Sequence, residues 1–309
     1  MSTAYITHSD CLGHVTPPGH PERVARLESI ETRMSDPAFD ALIRHEAPRA
    51  ELNVVHACHP ATYADRIAAA IPEMGMVMLD SDTHVSPGSL DAALRAVGGN
   101  LLAVDLVLSG AVQNAFVATR PPGHHAETET AMGFCLFGNV ALAAKHALDH
   151  HGLSRVAVMD FDVHHGNGTQ DLLWDEDRTL FISTHQMPLY PGTGQASETG
   201  AHGNVINIPL PPHSGGSEMR AAVTEQIIPA LDAFNPELIL ISAGFDAHRD
   251  DPLAQLDWDT TDFEWITRRL CEAADRLCQG RVVSTLEGGY DLDALAASVA
   301  AHIAVLMEQ

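Results

Sequence analysis

The sequence has few basic residues, and lysine is almost absent. Its 17 lysines and arginines include one lysine, Lys145, against 41 aspartates and glutamates, so the formal net charge is −24 at pH 7. This charge would repel nucleic-acid phosphates, and we predict no nucleic-acid partner. It would instead concentrate cationic ligands, although solubility or a salt-adapted host explains it equally well.

Cysteine pairs and long apolar runs are also missing. The five cysteines form no Cys-x-x-Cys motif, and their odd number favours reduced thiols over a disulfide framework. No run approaches the ~20 apolar residues of a spanning helix. The first ten residues lack the basic start and apolar core of a signal peptide. We therefore expect a cytoplasmic protein with no membrane partner.

Strand-like and helix-like segments alternate along the 309 residues. This order predicts an α/β fold with a mainly parallel sheet covered by helices on both faces. No linker-like stretch or repeat interrupts it, so we predict a single domain over residues 1–309. The predicted helices include residues 21–34, 134–151 and 217–233, and the predicted strands include residues 115–119, 238–242 and 282–286.

The most informative segment is residues 156–168, VAVMDFDVHHGNG. It begins as an apolar, β-branched run typical of a buried parallel strand. Residues two apart on an extended chain share a face, so Asp160, Asp162 and His164 should point the same way. Two carboxylates and an imidazole at a strand end suit a divalent metal ion.

Asp246 follows another predicted strand, and open α/β sheets place their sites at the carboxyl ends of strands. Together, Asp162, His164 and Asp246 predict a metal site with one position open for water or substrate. No cysteine is placed to join them, so Zn²⁺, Fe²⁺ and Co²⁺ all remain candidates. Such an ion lowers the pKa of bound water to roughly 7 and polarises a carbonyl group.

Two further motifs offer proton transfer and hydrogen bonding. His124 and His125 follow a predicted strand and Gly123, and they provide a general base with a second imidazole beside it. Tyr290 follows Gly288 and Gly289. Its phenol, with a pKa near ~10, stays protonated at neutral pH and can donate to a developing oxyanion.

Taken together, the motifs resemble the histone deacetylase and acetylpolyamine amidohydrolase family of the arginase/deacetylase superfamily. The similarity runs in the family's order over nearly the whole chain, and Asn167, His185 and Phe245 are similar to its class II, bacterial-type branch. The matching motifs are HPER (residues 20–23), RPPGHH (120–125), GFC (133–135), DFDVHHGNG (160–168), YPGTG (190–194), GFD (244–246) and EGGY (287–290).

The resemblance implies a central sheet of about eight strands and a role for each matching residue. One Zn²⁺ per chain would be held by Asp162, His164 and Asp246. His125 would be the general base and acid, and His124 would be its electrostatic partner, oriented by Asp160. Tyr290 and the zinc ion would stabilise the tetrahedral oxyanion.

The resemblance also implies a narrow acyl-lysine tunnel and a second, monovalent cation. Phe134 and Tyr190 would be the tunnel walls, Gly133 its floor, Leu253 its rim and Asp82 the rim aspartate that binds substrate backbone. Substrate contacts are also expected from Gly288 and Gly289. K⁺ or Na⁺ would be bound by the side chains of Asp160 and Ser183 and by backbone oxygens of Asp162, His164 and Thr184.

The implied activity is zinc-dependent removal of acetyl or other acyl groups from lysine side chains or related amines. Two positions depart from the family pattern. Tyr190 stands where many members have phenylalanine, and Leu253 stands where glutamate would favour acetylated polyamines. Protein acetyl-lysine, acetylpolyamines, longer acyl-lysines and small acetylated metabolites therefore stay open as substrates.

Two alternatives share this fold. A binuclear, arginase-like hydrolase would need a carboxylate two residues after His164, where the chain has Gly166. A non-catalytic protein that binds acyl-lysine would be expected to lose a metal ligand or the tyrosine, and all are present here. A homo-oligomer is left open.

Overall fold

The computed structural model describes residues 2–309, and its eight longer strands form one sheet. In chain order the strands are β1 (Thr3–Thr7), β2 (Ile43–Glu46), β3 (Val77–Met78), β4 (His84–Val85), β5 (Asn114–Val117), β6 (Val156–Asp160), β7 (Thr179–Gln186), β8 (Val205–Leu210), β9 (Leu238–Ala243) and β10 (Val282–Leu286). The sheet order is β2-β1-β5-β10-β9-β6-β7-β8 and every pairing is parallel. The short strands β3 and β4 pair separately and antiparallel.

Helices cover both faces of the sheet, as predicted. They are α1 (Val24–Met34), α2 (Ala61–Ala70), α3 (Ser89–Leu108), α4 (Asn139–Asp149), α5 (Asn167–Leu173), α6 (Gly216–Ala222), α7 (Ile228–Phe234), α8 (Thr260–Cys278) and α9 (Leu292–Glu308). A π-helical segment, Val223–Ile227, joins α6 to α7, so the helix predicted over residues 217–233 contains a local change of helix type. No helix within residues 2–309 is long and apolar enough to cross a membrane.

Strand β6 shows how the sheet separates two cores. Ala157 and Met159 pack in the core that also contains residues of α1, α8 and α9. Val156 and Val158 pack in the opposite core, with residues of α3 and α4. The alternation continues beyond β6, because Phe161 is buried in the first core while the acidic residues on either side of it face the other way. This is the period of two that the sequence predicts.

Two predicted helix starts are wrong. The helix predicted from residue 134 begins at Asn139, because Gly133 and Phe134 have positive φ angles of 55° and 70°. Neither angle is compatible with a right-handed helix, and residues 133–138 instead form a turn. The helix predicted from residue 21 begins at Val24, because Arg23 is extended with φ −139°.

Strand β2 was not predicted from the sequence. It is an edge strand with the sequence IRHE, and three of its four residues are exposed. Charged edge strands carry little hydrophobic pattern, which protects the edge from pairing with other chains. The hydrophobic pattern that identifies a strand in the sequence is therefore weakest in this edge strand.

Candidate active site

Two neighbouring strands, β9 and β6, bring the predicted metal ligands together at their carboxyl ends. Asp162 and His164 follow β6, and Asp246 follows β9. One ligand atom from each lies within 4.8 Å of the others. The Nδ1 atom of His164 is 3.1 Å from Oδ1 of Asp162 and 3.0 Å from Oδ2 of Asp246. Both carboxylates are fully buried, and the imidazole is nearly so.

Backbone amides orient the two carboxylates. The N–H of Gly288 donates to Oδ2 of Asp162 at 2.8 Å, and the N–H of Val163 donates to Oδ1 of Asp246 at 2.9 Å. A Cβ atom at Gly288 would lie 2.1 Å from Oδ2 of Asp246, and one at Gly244 would lie 2.0 Å from Oδ2 of Asp162. Only glycine allows so close an approach, which explains the glycines of the GFD and EGGY motifs.

The donor set fits a divalent metal ion of the zinc class. The single Nδ1 atom of His164 faces two carboxylate oxygens at nearly equal distances, although one ring N–H forms only one linear hydrogen bond. Burial, followed by the nearby charge of Asp162, raises the pKa of Asp246. A shared cation relieves this repulsion, and three protein ligands from nitrogen and oxygen donors leave the open fourth position that is typical of catalytic zinc.

The histidine pair lies beside these ligands, in the loop after β5. The ring centroids of His124 and His125 are 4.0 Å apart. Nδ1 of His124 lies 2.9 Å from Oδ2 of Asp160, the residue predicted to orient it. Nδ1 of His125 lies 2.7 Å from Oδ1 of Asn167.

Asn167 determines which nitrogen of His125 carries the proton. Its Nδ2 atom donates to the carboxylate of Glu127 at 2.7 Å, so its Oδ1 atom is the acceptor that faces His125. Nδ1 of His125 must therefore be the protonated nitrogen, which leaves the lone pair on Nε2. The sequence distinguishes Asn167 only as a feature of the bacterial-type branch, since its contact with a histidine 42 residues away is not visible there.

The two imidazoles have opposite protonation preferences. Burial disfavours charge on His124, but the carboxylates of Asp162 and Asp160 outweigh it and raise its pKa well above the usual value. Burial, together with the positive charges of His124 and His164, lowers the pKa of His125 well below the usual value. Such a separation is typical of paired groups in which one stays charged and the other accepts a proton.

Glu287 holds the histidine loop in place, a role that was not predicted from the sequence. Its Oε2 atom accepts hydrogen bonds from the N–H groups of Gly123, at 2.7 Å, and His124, at 3.1 Å. Its Oε1 atom accepts from the hydroxyl of Ser242 at 3.2 Å. Burial raises the pKa of Glu287 to about 7. The carboxyl group thereby connects β10, β9 and the loop after β5.

A cavity of about 210 Å³ opens onto His164, one of the candidate metal ligands, and onto His125. It is lined by Asp82, His125, Gly133, Phe134, His164, Leu189, Tyr190, Leu253 and Tyr290. All except Leu189 are among the predicted site residues. Gly288 and Gly289 are not part of the lining of this cavity; Gly288 supports the metal ligands instead.

Aromatic rings form much of the cavity wall. The ring centroids of Phe134 and Tyr290 are 5.8 Å apart, and those of Tyr190 and His125 are 5.2 Å apart. A Cβ atom at Gly133 would lie 2.3 Å from the ring of His125, so this position must remain free of a side chain. Asp82 accepts a hydrogen bond from the N–H of Gly133 at 3.1 Å, which connects the cavity mouth to its base.

Tyr290 is held in the cavity from two sides. Its N–H donates to the carboxylate of Asp251 at 2.7 Å, and the guanidinium group of Arg26 lies 5.0 Å from its ring centroid. Arg26 also donates to the backbone oxygen of Gly289 at 2.6 Å. Burial raises the pKa of Tyr290 well above 10, despite the opposing effect of Arg26, so the phenol keeps its proton.

The residues predicted for a monovalent cation also lie together. Asp160 on β6 is paired in register with Ser183 on β7, and Thr184 follows. The side chain of Ser183 contacts Nδ1 of His185 at 2.9 Å. Asp160 and Ser183 are both fully buried beside the ligand segment.

Comparison with known proteins identifies the family of the chain. Residues 20–306 match the histone deacetylase domain. The probable deacetylase of Archaeoglobus fulgidus is 38% identical over 95% of this chain and 82% of its own. The histone deacetylase-like amidohydrolase of Pseudomonas aeruginosa is 38% identical over 90% of this chain and 75% of its own.

A solved structure shows the same architecture. The crystal structure of the HDA15 HD domain superimposes with a TM-score of 0.94 at 33% identity, and the match covers 100% of this chain and 88% of that one. The eight-stranded parallel sheet and its helices are therefore those of a known deacetylase fold. The chain belongs to the histone deacetylase domain family, among relatives named deacetylases and amidohydrolases.

Proposed function

We propose that this chain is a zinc-dependent amidohydrolase that removes acetyl, or other short acyl, groups from the side-chain amine of lysine. One observation carries the proposal: the ligand atoms of Asp162, His164 and Asp246 lie together, and His164 lines a cavity that is also lined by His125 and Tyr290. In this proposal, residues 1–309 act as one catalytic domain with one catalytic zinc ion.

The protein's own groups divide the proton transfers between them. A zinc ion held by the three ligands would supply an acidified water and polarise the substrate carbonyl. His125 accepts the proton of the attacking water at Nε2 and returns it to the departing amine. The charged His124 beside it stabilises negative charge, and the Tyr290 hydroxyl donates a hydrogen bond to the carbonyl oxygen as its charge develops.

The cavity supports a linear acyl-amine substrate. Its volume of about 210 Å³ and its apolar walls, including Phe134 and Leu253, suit an alkyl chain that ends in an amide. Within residues 2–309, the Asp82 carboxylate accepts hydrogen bonds at Oδ1, from the Thr83 hydroxyl and the Gly133 N–H. Its Oδ2 atom is therefore available for a substrate N–H at the mouth of the cavity. The net charge of −24 would attract basic peptides and amines.

Acetylated polyamines and small acetylated metabolites are the second candidate substrate class. The acidic surface favours them, but Leu253, 36% exposed at the rim, supplies no charge for a second ammonium group. A binuclear arginase-like hydrolase is disfavoured more strongly. A Cβ atom at Gly166 would lie 2.3 Å from Oδ2 of Asp160, so that position has no space for the extra carboxylate.

Three subsidiary proposals accompany this function. We propose K⁺ or Na⁺ beside Asp160 and Ser183, supported by the two oxygen-bearing side chains being paired in register. We propose a cytoplasmic location, supported by five unpaired cysteines. We propose no nucleic-acid partner, supported by the excess of acidic residues.

A turnover panel tests the proposal. Acetyl-lysine peptides, acetylated polyamines and longer acyl-lysines are compared with zinc-loaded protein, and release of carboxylate and free amine is measured. The proposal predicts the highest kcat/KM for an acyl-lysine peptide. No turnover of any amide with zinc bound would instead favour a non-catalytic protein that binds acyl-lysine.

A further inference from the structure

A cluster of three imidazoles and one carboxylate lies on the surface, outside the cavity described above. Asp105 is on α3, His146 is on the last turns of α4, and His150 and His151 directly follow that helix. One nitrogen or oxygen atom from each lies within 4.8 Å of the others. The cluster joins two helices that cover the same face of the sheet.

Two of the three imidazoles converge on one carboxylate oxygen, and the third packs against them. Nε2 of His146 and Nε2 of His151 each lie 2.7 Å from the same oxygen, Oδ1 of Asp105. The rings of His146 and His150 stack with centroids 4.7 Å apart, and the ring of His151 packs edge-on against both. The imidazoles of His146 and His151 are 18% and 24% exposed, so the group is held in place yet open to solvent.

The local charges favour a cation at this point. The carbonyl groups at the end of α4 place partial negative charge beside His150. The ammonium group of Lys145, one residue before His146, donates to Glu176 at 2.5 Å, so the positive charge of this lysine is paired with a carboxylate.

We propose that Asp105, His146, His150 and His151 form a second metal site, for a divalent transition-metal ion of the zinc class. Imidazole-rich sets select Zn²⁺, Co²⁺, Ni²⁺ or Cu²⁺ over Mg²⁺ and Ca²⁺, which prefer oxygen ligands. Four protein ligands with no open position are typical of structural rather than catalytic zinc. The site does not depend on the proposed deacetylase activity.

The position of the site suggests what binding would do. An ion there would tie the end of α4 to α3. The other end of α4 begins at Asn139, whose side chain donates to the backbone oxygen of Pro121 at 3.2 Å, in the loop that carries the histidine pair. Bound metal would therefore stabilise the helix that supports this loop, and metal binding would raise the unfolding temperature.

Metal counting tests the proposal. Chelator-stripped protein is dialysed to equilibrium against buffered free Zn²⁺, and bound ions are measured by elemental analysis. Wild type is expected to bind one more ion per chain than the double variant His150→Ala/His151→Ala. Removing a residue that only hydrogen-bonds to a metal ligand lowers metal affinity by up to roughly 100-fold. Removing two ligands should therefore lower the affinity of the extra site by more than that. Zn²⁺, but not Mg²⁺, should raise the melting temperature of wild type more than that of the double variant.

The matched control is His202→Ala. Nε2 of His202 also lies 2.9 Å from a carboxylate oxygen, that of Asp175, but this pair is not part of a three-ligand group. This variant should keep the wild-type zinc count. Equal counts in wild type and the double variant would overturn the proposal, and so would an equal loss in His202→Ala, which would mean non-specific binding to surface histidines.

Discussion

The Nδ1 atom of His125 lies 2.7 Å from Oδ1 of Asn167, so an amide rather than a carboxylate orients the proposed general base. An amide oxygen selects the Nδ1–H tautomer without adding negative charge next to the imidazole. The neighbouring His124 has the opposite arrangement, with Asp160 at 2.9 Å. The carboxylates of Asp162 and Asp160 raise the pKa of His124, so that histidine keeps a positive charge. Burial, rather than the contact with Asn167, lowers the pKa of His125 and leaves it neutral.

The contact predicts a kinetic effect of Asn167→Leu. Without the amide, His125 loses its fixed tautomer, and kcat should fall by about 10- to 100-fold, as for other groups that orient a functional imidazole. Bound zinc, measured by elemental analysis, should not change, because the hydrogen bonds of the Asn167 side chain go to His125, Glu127 and Met132 rather than to the candidate metal ligands. Asn167→Gln, which keeps an amide, should recover part of the rate. Full activity in Asn167→Leu would show that the contact does not orient the base.

Tyr290→Phe removes the proposed hydrogen bond to the developing oxyanion. We expect kcat to fall by about 10²- to 10³-fold, the usual effect of losing one such donor. The fold should persist, because the ring and its contact with Arg26 are kept. Tyr5→Phe is the control, since the Tyr5 hydroxyl donates to Glu31, away from the cavity. Equal rates for Tyr290→Phe and wild type would remove the phenol from the mechanism.

Gly288→Ala tests the packing of glycine against the metal ligands. The added Cβ atom would lie 2.1 Å from Oδ2 of Asp246 and 2.5 Å from Oδ2 of Asp162, so one carboxylate must move. Elemental analysis should show loss of the catalytic zinc ion. Gly215→Ala is the matched control, because its nearest neighbour would be 3.6 Å away, an ordinary contact. Full zinc content in Gly288→Ala would mean that the ion is held elsewhere.

Leu253→Glu should shift the substrate preference. A carboxylate at the rim would attract the second ammonium group of an acetylated polyamine, and an exposed pair of this kind contributes up to about 1 kcal/mol, or roughly fivefold. The measured quantity is the ratio of kcat/KM for an acetylpolyamine to that for an acetyl-lysine peptide. Leu253→Gln controls for the change in shape. A ratio that rises equally in both variants would exclude charge as the cause.

His302 predicts a loss of stability in acid. It is fully buried, and its ring nitrogens lie 2.7 Å from the Thr267 hydroxyl and 2.9 Å from the Ser284 hydroxyl. Burial lowers its pKa to about 3. The unfolded chain binds a proton below pH ~6.5 while the folded chain does not, so this stability is present above that pH and lost below it.

The expected size is measurable by chemical denaturation. From pH 7.5 to pH 5 this group alone should reduce the free energy of unfolding by about 2 kcal/mol. His302→Gln removes the titrating group, and its stability should fall less over the same range. Other buried histidines titrate in both proteins and cancel in the comparison. Parallel pH dependences in the two proteins would contradict the assigned pKa.

Much of the fold was predictable because strands and helices have different periods. The candidate ligands Asp162 and His164 were recognisable because a buried strand ends in charged residues, and Asp246 because it follows another apolar strand. The helix start at Asn139 was not, since the apolar residues 134–137 look helical although Gly133 and Phe134 adopt positive φ. The local sequence pattern does not indicate this turn, because the turn is imposed by packing around the cavity and not by the helix propensity of the residues themselves.

Contacts between distant residues were the least predictable part of the site. Glu287 was visible only as part of a motif, and its hydrogen bonds to Gly123 and His124 span more than 160 residues. Asn167 and Arg26 are similar cases, since each acts through a residue remote in sequence. Residue type shows what chemistry a side chain can perform, whereas only the packed sheet shows which partner it meets.

The central claim is that hydrolysis occurs at the buried ligand set of Asp162, His164 and Asp246. The direct measurement is reconstitution of chelator-stripped protein by Zn²⁺ titration, in the His150→Ala/His151→Ala background so that only the buried site is counted. Turnover of an acetyl-lysine peptide should rise linearly and reach its plateau at one zinc ion per chain, and Asp162→Ala in the same background should show neither binding nor turnover. Full turnover by the stripped protein, or none after one ion has bound, would contradict the account.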